Sequence, residues 1–286
     1  MFSQIRKMST AKSFKIALVQ MTVGKDKNKN LENAVRFIRK AADNGASLIV
    51  LPECFNCPYG TKYFREYSEE IGSGITSKTL SNVAKEKEIF LVGGSIPELD
   101  NDKVYNAATV WNPQGELIAK HRKVHLFDIA IPGGITFKES DVLSPGNSFS
   151  MFNNGICNIG LGICYDMRFP ELAQVYRKKG CDLLIYPGAF NMTTGPLHWE
   201  LLVRSRANDN QVYVAACSPA QDKNSDYIAW GHSTVVDPWA NILATSQFEE
   251  TIVYADIDLN TLNKVRDQIP TGKQKRYDLY DVTAKL

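Results

Sequence analysis

The sequence predicts an α/β protein, a four-layer α-β-β-α sandwich of two stacked mixed sheets related by an internal pseudo-two-fold repeat. Three observations predict it. Short apolar runs alternate with segments of helical spacing, which implies sheets covered by helices. The order of those runs occurs twice along the chain, once over residues 14–120 and again over residues 156–245. Each half has helices enough for one face of its own sheet. The two uncovered faces must then bury each other, and the site is expected where strand ends of the two halves meet.

In the first half, residues 14–20 read as a strand. Residues 28–43 read as an amphipathic helix with Leu31, Val35, Ile38 and Ala42 on one face, ended by Asn44-Gly45. A buried strand over 47–51 finishes at Pro52-Glu53. Thr76 or Ser77 is expected to cap a helix through Leu80, Val83 and Ala84. A strand over 89–94 follows, and residues 105–111 and 117–120 make a hairpin around Asn112-Pro113-Gln114-Gly115. The plan then recurs. A strand over 156–163 precedes a helix over 170–179, with Lys179-Gly180 in the place of Asn44-Gly45. A strand over 182–187 ends at Pro187 as the earlier one ended at Pro52. A helix over 198–208, a strand over 211–217 and a hairpin over 232–245 complete the second half. Residues 256–269 add a strand and a short helix stopped by Pro270. The remainder, about 270–286, has too little core to stand alone, and its tyrosines Tyr277 and Tyr280 favour an arm docked on another subunit over a frayed tail. The chain thus reads as one domain over 14–286 behind a flexible basic tail over 1–13.

Composition bounds the function. A net charge of +2 gives no case for a nucleic-acid partner. No apolar run approaches the roughly 20 residues that span a bilayer, so no membrane role is expected. Six cysteines without a preceding secretory signal point to reduced thiols in a cytosolic or organelle-matrix protein. Residues 1–16 hold Arg6, Lys7, Lys12 and Lys15, serines and no acid, a composition compatible with a mitochondrial leader. A disordered tail with Met8 as a second start is the alternative. The expected place is the cytoplasm, with mitochondria in addition if the leader acts.

The chemistry centres on Gly160-Leu161-Gly162-Ile163-Cys164-Tyr165-Asp166-Met167-Arg168-Phe169-Pro170-Glu171. Cys164 falls at a sharp strand-to-helix turn, with Pro170 suited to a first helical turn. A helix N-terminus there favours a thiolate, and the turn offers N–H groups to a developing oxyanion. Cys164 is therefore a nucleophile candidate, or else a buried small hydrophobe. Glu53 ends a buried strand, where desolvation raises a carboxyl pKa and suits a general base; a salt-bridged acid at a strand end is the other reading. Lys123 either stabilises charge beside a reacting carbonyl or is one more solvated base. Glu139 follows Pro132-Gly133-Gly134, a candidate lid, or is a surface acid. Cys54-Phe55-Asn56-Cys57 has zinc or redox spacing but no second pair, and Lys123 lies between His121 and His125 with no HExxH, so no metal site is expected. Gly160-x-Gly162 lacks the third glycine of a dinucleotide loop.

The cysteine segment resembles the nucleophile motif of the nitrilase, or carbon–nitrogen hydrolase, superfamily. The resemblance extends to a glutamate motif, Leu51-Pro52-Glu53-Cys54-Phe55, and a lysine motif, His121-Arg122-Lys123-Val124-His125-Leu126-Phe127-Asp128, in the same order, and runs from the first strand through the arm. It implies Glu53, Lys123 and Cys164 as catalytic residues, Glu139 as the second glutamate supporting the lysine, the same sandwich fold, and pairing into a homodimer through the C-terminal region. It implies no cofactor. Within the superfamily the ω-amidase branch is most similar, through Glu53-Cys54-Phe55-Asn56-Cys57-Pro58-Tyr59-Gly60, Tyr186-Pro187-Gly188-Ala189-Phe190-Asn191, Thr194-Gly195-Pro196-Leu197-His198-Trp199-Glu200 and Trp230-Gly231-His232-Ser233. That branch implies hydrolysis of the terminal amide of 2-oxoglutaramate or 2-oxosuccinamate through a cysteine thioester. Amidase action on deaminated glutathione is the nearest alternative, and a non-catalytic interaction protein on the same scaffold the alternative of another class. Tyr165 is implied as an oxyanion N–H, Arg168, Tyr59 and Thr194 as candidates for the substrate carboxylate, and Phe127 and Phe190 as pocket walls. Arg168 also reads as an ion-pair partner of Glu171 or Asp166. After Lys123 the stretch Asp128-Ile129-Ala130-Ile131-Pro132-Gly133-Gly134 departs from the pattern, and its paired glycines predict a looser lid.

Overall fold

The computed structural model describes residues 12–285. The readings of a basic tail and a leader therefore lie outside the described residues, apart from Lys12 to Ile16, of which Ser13 onward belong to the first strand.

The first half runs β1 (Ser13–Gln20), α1 (Lys27–Asp43), β2 (Leu48–Val50), α2 (Thr61–Tyr67), α3 (Ile75–Lys87), β3 (Phe90–Asp100), β4 (Lys103–Trp111) and β5 (Leu117–Arg122). A small hairpin, β6 (Asp128–Ala130) and β7 (Thr136–Lys138), leads to a 3-10 turn over Glu139–Asp141. The second half runs β8 (Ser150–Asn153), β9 (Asn158–Leu161), a 3-10 turn over Cys164–Arg168, α4 (Pro170–Lys178), β10 (Leu183–Pro187), α5 (Gly195–Asn210), β11 (Tyr213–Cys217), β12 (Thr234–Val236) and β13 (Ile242–Thr245). β14 (Thr251–Asp258) and α6 (Leu259–Gln268) follow.

The expected repeat is visible in the strand orders. One sheet is β14-β1-β2-β3-β4-β5 and the other β8-β9-β10-β11-β12-β13. In each, three parallel strands are followed by two antiparallel ones. The sixth strand differs in origin. β8 immediately precedes β9, whereas β14 returns from the far end of the chain to pair with β1 from Ser13↔Asp258 to Gln20↔Thr251.

Alternation along each strand sorts side chains between two cores. Ile16, Leu18, Leu48 and Val50 point between the sheets, where they meet Ile159, Leu161, Leu183 and Ile185. Ala17, Val19 and Ile49 point outward against α1 and α3. Leu184, Tyr186 and Val214 do the same against α4 and α5. Gly162 fits this packing by size, since a Cβ there would stand 2.4 Å from the Tyr186 ring.

Two local expectations are corrected. The buried face of α1 is Leu31, Ala34, Phe37, Ile38 and Ala41, while Val35 and Ala42 lie at its margin. The N-cap of α3 is Gly74, and Thr76 lies inside the helix, where its N–H donates to Glu69 Oε2 at 2.9 Å. A remote carboxylate thus does the work expected of a hydroxyl. The C-terminal arm also touches its own chain, with Asp281 2.6 Å from Lys178 of α4 and Lys178 Nζ 5.2 Å from the Tyr277 ring. No helix among the described residues is long and apolar enough to cross a membrane.

Candidate active site

Glu53 lies in the turn after β2. That turn is tied to β3 through Ser95, whose hydroxyl accepts from Cys54 N–H at 3.0 Å and whose N–H donates to the Pro52 carbonyl at 3.2 Å. The side chain is buried. Its Oε1 accepts from Asn106 Nδ2 at 2.8 Å and Lys123 Nζ at 3.0 Å, and its Oε2 accepts from the Ala189 N–H at 2.8 Å. The Ala189 bond crosses from one half of the molecule to the other, so the acid sits where the two sheets' strand ends meet, as expected.

Lys123 follows β5 and is wholly buried. Its ammonium lies 3.0 Å from both Glu53 and Glu139. Glu139 opens the 3-10 turn after β7 and is equally buried, which rules out the surface-acid reading. Tyr59 Oη donates to its Oε1 at 2.7 Å and the Phe127 N–H to its Oε2 at 2.7 Å. The β6–β7 hairpin carries Gly133, with φ of +71°, and Gly134 between its strands.

Cys164 starts a 3-10 turn, and α4 begins only at Pro170. The expected helix N-terminus is therefore not at the cysteine. Its φ of +46° is in the left-handed region, uncommon for a residue with a side chain. Burial pushes the thiol well above its ordinary pKa, Glu53 adds to the rise and Lys123 opposes it. These surroundings disfavour a thiolate and set the thiol beside the Glu53 carboxylate. Burial also raises Glu53; Lys123 counters that and Glu139 reinforces it. Burial works against the charge of Lys123, but Glu139 and Glu53 outweigh it and hold the ammonium well above its usual range.

The substrate candidates divide. The Tyr59 hydroxyl is engaged by Glu139, and the Thr194 N–H and hydroxyl both bond Asn191 Oδ1, at 2.8 and 3.2 Å. Neither has a free donor for a carboxylate, and both expectations fail on that count. Arg168 makes no ion pair with Glu171, Asp166 or any other acid among the described residues. Its guanidinium lies 4.9 Å from the Phe190 ring, 5.7 Å from the Tyr165 ring and 3.3 Å from His198 Nδ1. Phe127 and Tyr165 meet edge to face at 5.3 Å, and Phe190 packs on Trp199. Asn106, Tyr227 and Asp166 were not expected here. Tyr227 Oη donates to the Ala189 carbonyl. It lines, with Glu53, Cys54, Cys57 and Tyr59, a cavity of about 30 Å³. A larger cavity, about 520 Å³, lies between α4, α6 and the arm, lined by none of these residues.

Among the described residues no group of three or more His, Cys, Asp and Glu could hold a metal ion. All six cysteines are free and buried, and Cys54 and Cys57 face each other within one turn.

An acid, an ammonium and a thiol gathered at the meeting edge of two stacked sheets define a class of amide-cleaving enzyme. Residues 15–267 match the carbon-nitrogen hydrolase family profile, and the chain belongs to that family. It is similar to proteins named Omega-amidase NIT2. The human one is 60% identical over 273 residues, covering 96% of this chain and 99% of that protein. The zebrafish one (Danio rerio) is 57% identical over 271 residues, covering 95% and 98%. Among solved structures, Saccharomyces cerevisiae Nit3, a member of branch 10 of the nitrilase superfamily, superposes with a TM-score of 0.87 at 48% identity, covering 93% of this chain and 97% of that one. The C. elegans NitFhit protein superposes with a TM-score of 0.87 at 32% identity, covering 96% and 68%.

Proposed function

We propose that this protein is an ω-amidase, hydrolysing the terminal amide of 2-oxoglutaramate or 2-oxosuccinamate to the 2-oxo dicarboxylate and ammonia. The observation that carries the reading is Lys123 Nζ held 3.0 Å from each of two buried glutamates, beside a buried thiol. The similarity to omega-amidases over nearly the whole chain supports the substrate class.

In this reading Glu53 is the general base. Its raised pKa makes it a stronger base than an ordinary carboxylate, and proton transfer accompanies attack of sulfur on the amide carbon. Lys123 and the Tyr165 N–H receive the oxyanion. Glu53 returns the proton to the leaving nitrogen, so ammonia departs neutral and a thioester remains. Water then attacks the thioester carbon as Glu53 takes its proton, and the sulfur leaves as a thiol reprotonated from Glu53. Glu139 keeps Lys123 charged throughout. Arg168 binds the substrate's distant carboxylate, since it is the cation near Cys164 with no acid of its own. Phe127 and Phe190 wall the acyl chain. The single domain carries a C-terminal arm whose exposed Tyr277, Leu279 and Tyr280 seat a second copy, giving a homodimer. Its buried free thiols suit a reducing compartment, the cytoplasm, with a mitochondrial share if residues 1–16 act as a leader.

Ammonia release from 2-oxoglutaramate is the test. The wild-type chain should turn over, while Cys164→Ala and Glu53→Gln should lose activity to background with unchanged circular dichroism. Substantial amidase activity in Cys164→Ala would refute the assignment. Deaminated glutathione in parallel distinguishes the nearest alternative substrate.

A further inference from the structure

We infer that Asp166 is a positioning residue that fixes the distance between the oxyanion lysine and the nucleophile, an assignment that rests on the roles proposed above for Lys123 and Cys164.

Asp166 is wholly buried. Its Oδ1 accepts from the His125 backbone N–H at 2.9 Å and pairs with His125 Nδ1 at 2.8 Å. Its Oδ2 accepts from the Ile163 N–H at 2.9 Å and pairs with His121 Nε2 at 3.1 Å. The placement of these partners carries the inference. His121 and His125 stand two residues before and two residues after Lys123, and Ile163 is the residue before Cys164. Lys123 follows β5 of one sheet, and Cys164 follows β9 of the other. One carboxylate therefore grips both sides of the lysine and the backbone that leads into the cysteine. His121 and His125 are thereby accounted for without a metal, because each directs a ring nitrogen at the same aspartate.

Burial works to raise the carboxyl, but its donors, His121 and His125 foremost, outweigh it and hold the group well below the usual carboxylate range, so the clamp is ionic as well as geometric. The oxyanion site has one donor on each gripped segment, the Lys123 ammonium and the Tyr165 N–H. Its geometry depends on the two segments keeping their spacing. A misplacement of about 1 Å at such a site costs on the order of 100-fold in rate. A binding-pocket residue would act on KM. A residue that sets the spacing between nucleophile and oxyanion donor acts on kcat.

Asp166→Asn keeps the size and removes the charge. With 2-oxoglutaramate its kcat should fall at least fivefold while KM stays within twofold. A smaller fall in kcat, or a KM that rises by the same factor, overturns the proposal. Should that variant not fold, His125 decides. His125→Asn restores a side-chain donor near the place of Nδ1, and His125→Leu does not; both lose the stack of His125 on Phe169. The asparagine variant should keep kcat within threefold of wild type and the leucine variant should fall at least tenfold; equal values overturn the proposal. Should the wild-type chain release no ammonia from 2-oxoglutaramate, the functional reading fails but the clamp stays testable. Acylation of Cys164 by p-nitrophenyl acetate passes through an oxyanion and needs no ω-amide, and Asp166→Asn should slow the burst of p-nitrophenolate at least fivefold; an unchanged rate overturns the proposal.

Discussion

At the scale of single residues, the site is one cation between two acids with no water-facing atom among the three. Removing one partner of a buried ion pair leaves uncompensated charge, which costs about 3–5 kcal/mol. Lys123→Met should therefore destabilise the fold by about that amount at neutral pH in urea titration. The sign of its pH dependence follows from Glu53, whose pKa is already raised by burial in the fold and rises further without the ammonium. Its ionisation is disfavoured in the fold, so the penalty should be full at neutral pH and shrink as acid protonates it. For Arg168 the expectation is selective. Arg168→Gln should lower kcat/KM for 2-oxoglutaramate by about 10–100-fold, the worth of a charged hydrogen bond, and leave a neutral amide of equal length nearly unchanged. Glu53, Lys123 and Cys164 were legible in the sequence because each sits in a short motif. Asn106, Tyr59 and Asp166 were not legible in their roles. Their contacts join residues 53, 80 and about 41–45 positions apart, and local spacing holds no trace of such pairings.

At the scale of elements, apolar periodicity gave both sheets and the four helices of the repeat. It missed β6 and β7, whose side chains are exposed or half-exposed and show no buried alternation, and β8, where Phe152 is the one buried residue of four. It also stopped β3 at Gly94, where the strand continues beyond a register shift between Val92 and Ser95. That shift positions the acid. Gly94 has φ of +56°, and a Cβ there would stand 2.1 Å from the Pro52 carbonyl oxygen, the residue before Glu53. Gly94→Ala should cost about 2–3 kcal/mol in denaturant titration, from strain and displaced backbone together. Its kcat should fall as well, because the turn it disturbs carries the base.

At the scale of the whole molecule, two equivalent half-sheets bury one another and leave the site at their common edge. The arm extends beyond this frame. Tyr277, Leu279 and Tyr280 are 51, 69 and 60% exposed, more than a chain end kept to itself requires. Truncation before Arg276 should halve the mass found by light scattering while the helix and strand content persists. The expectation that the arm docks on another subunit came from its tyrosines, and the ion pair of Asp281 with Lys178 could not be foreseen because it closes over 103 residues.

The pairing of β1 with β14 has a consequence for synthesis. Every strand of the second sheet is made in one continuous run, so that half can assemble as soon as β13 has left the ribosome. The earlier half cannot. Its leading strand keeps an open edge until Thr251–Asp258 arrives, so the portion translated first is the portion finished last.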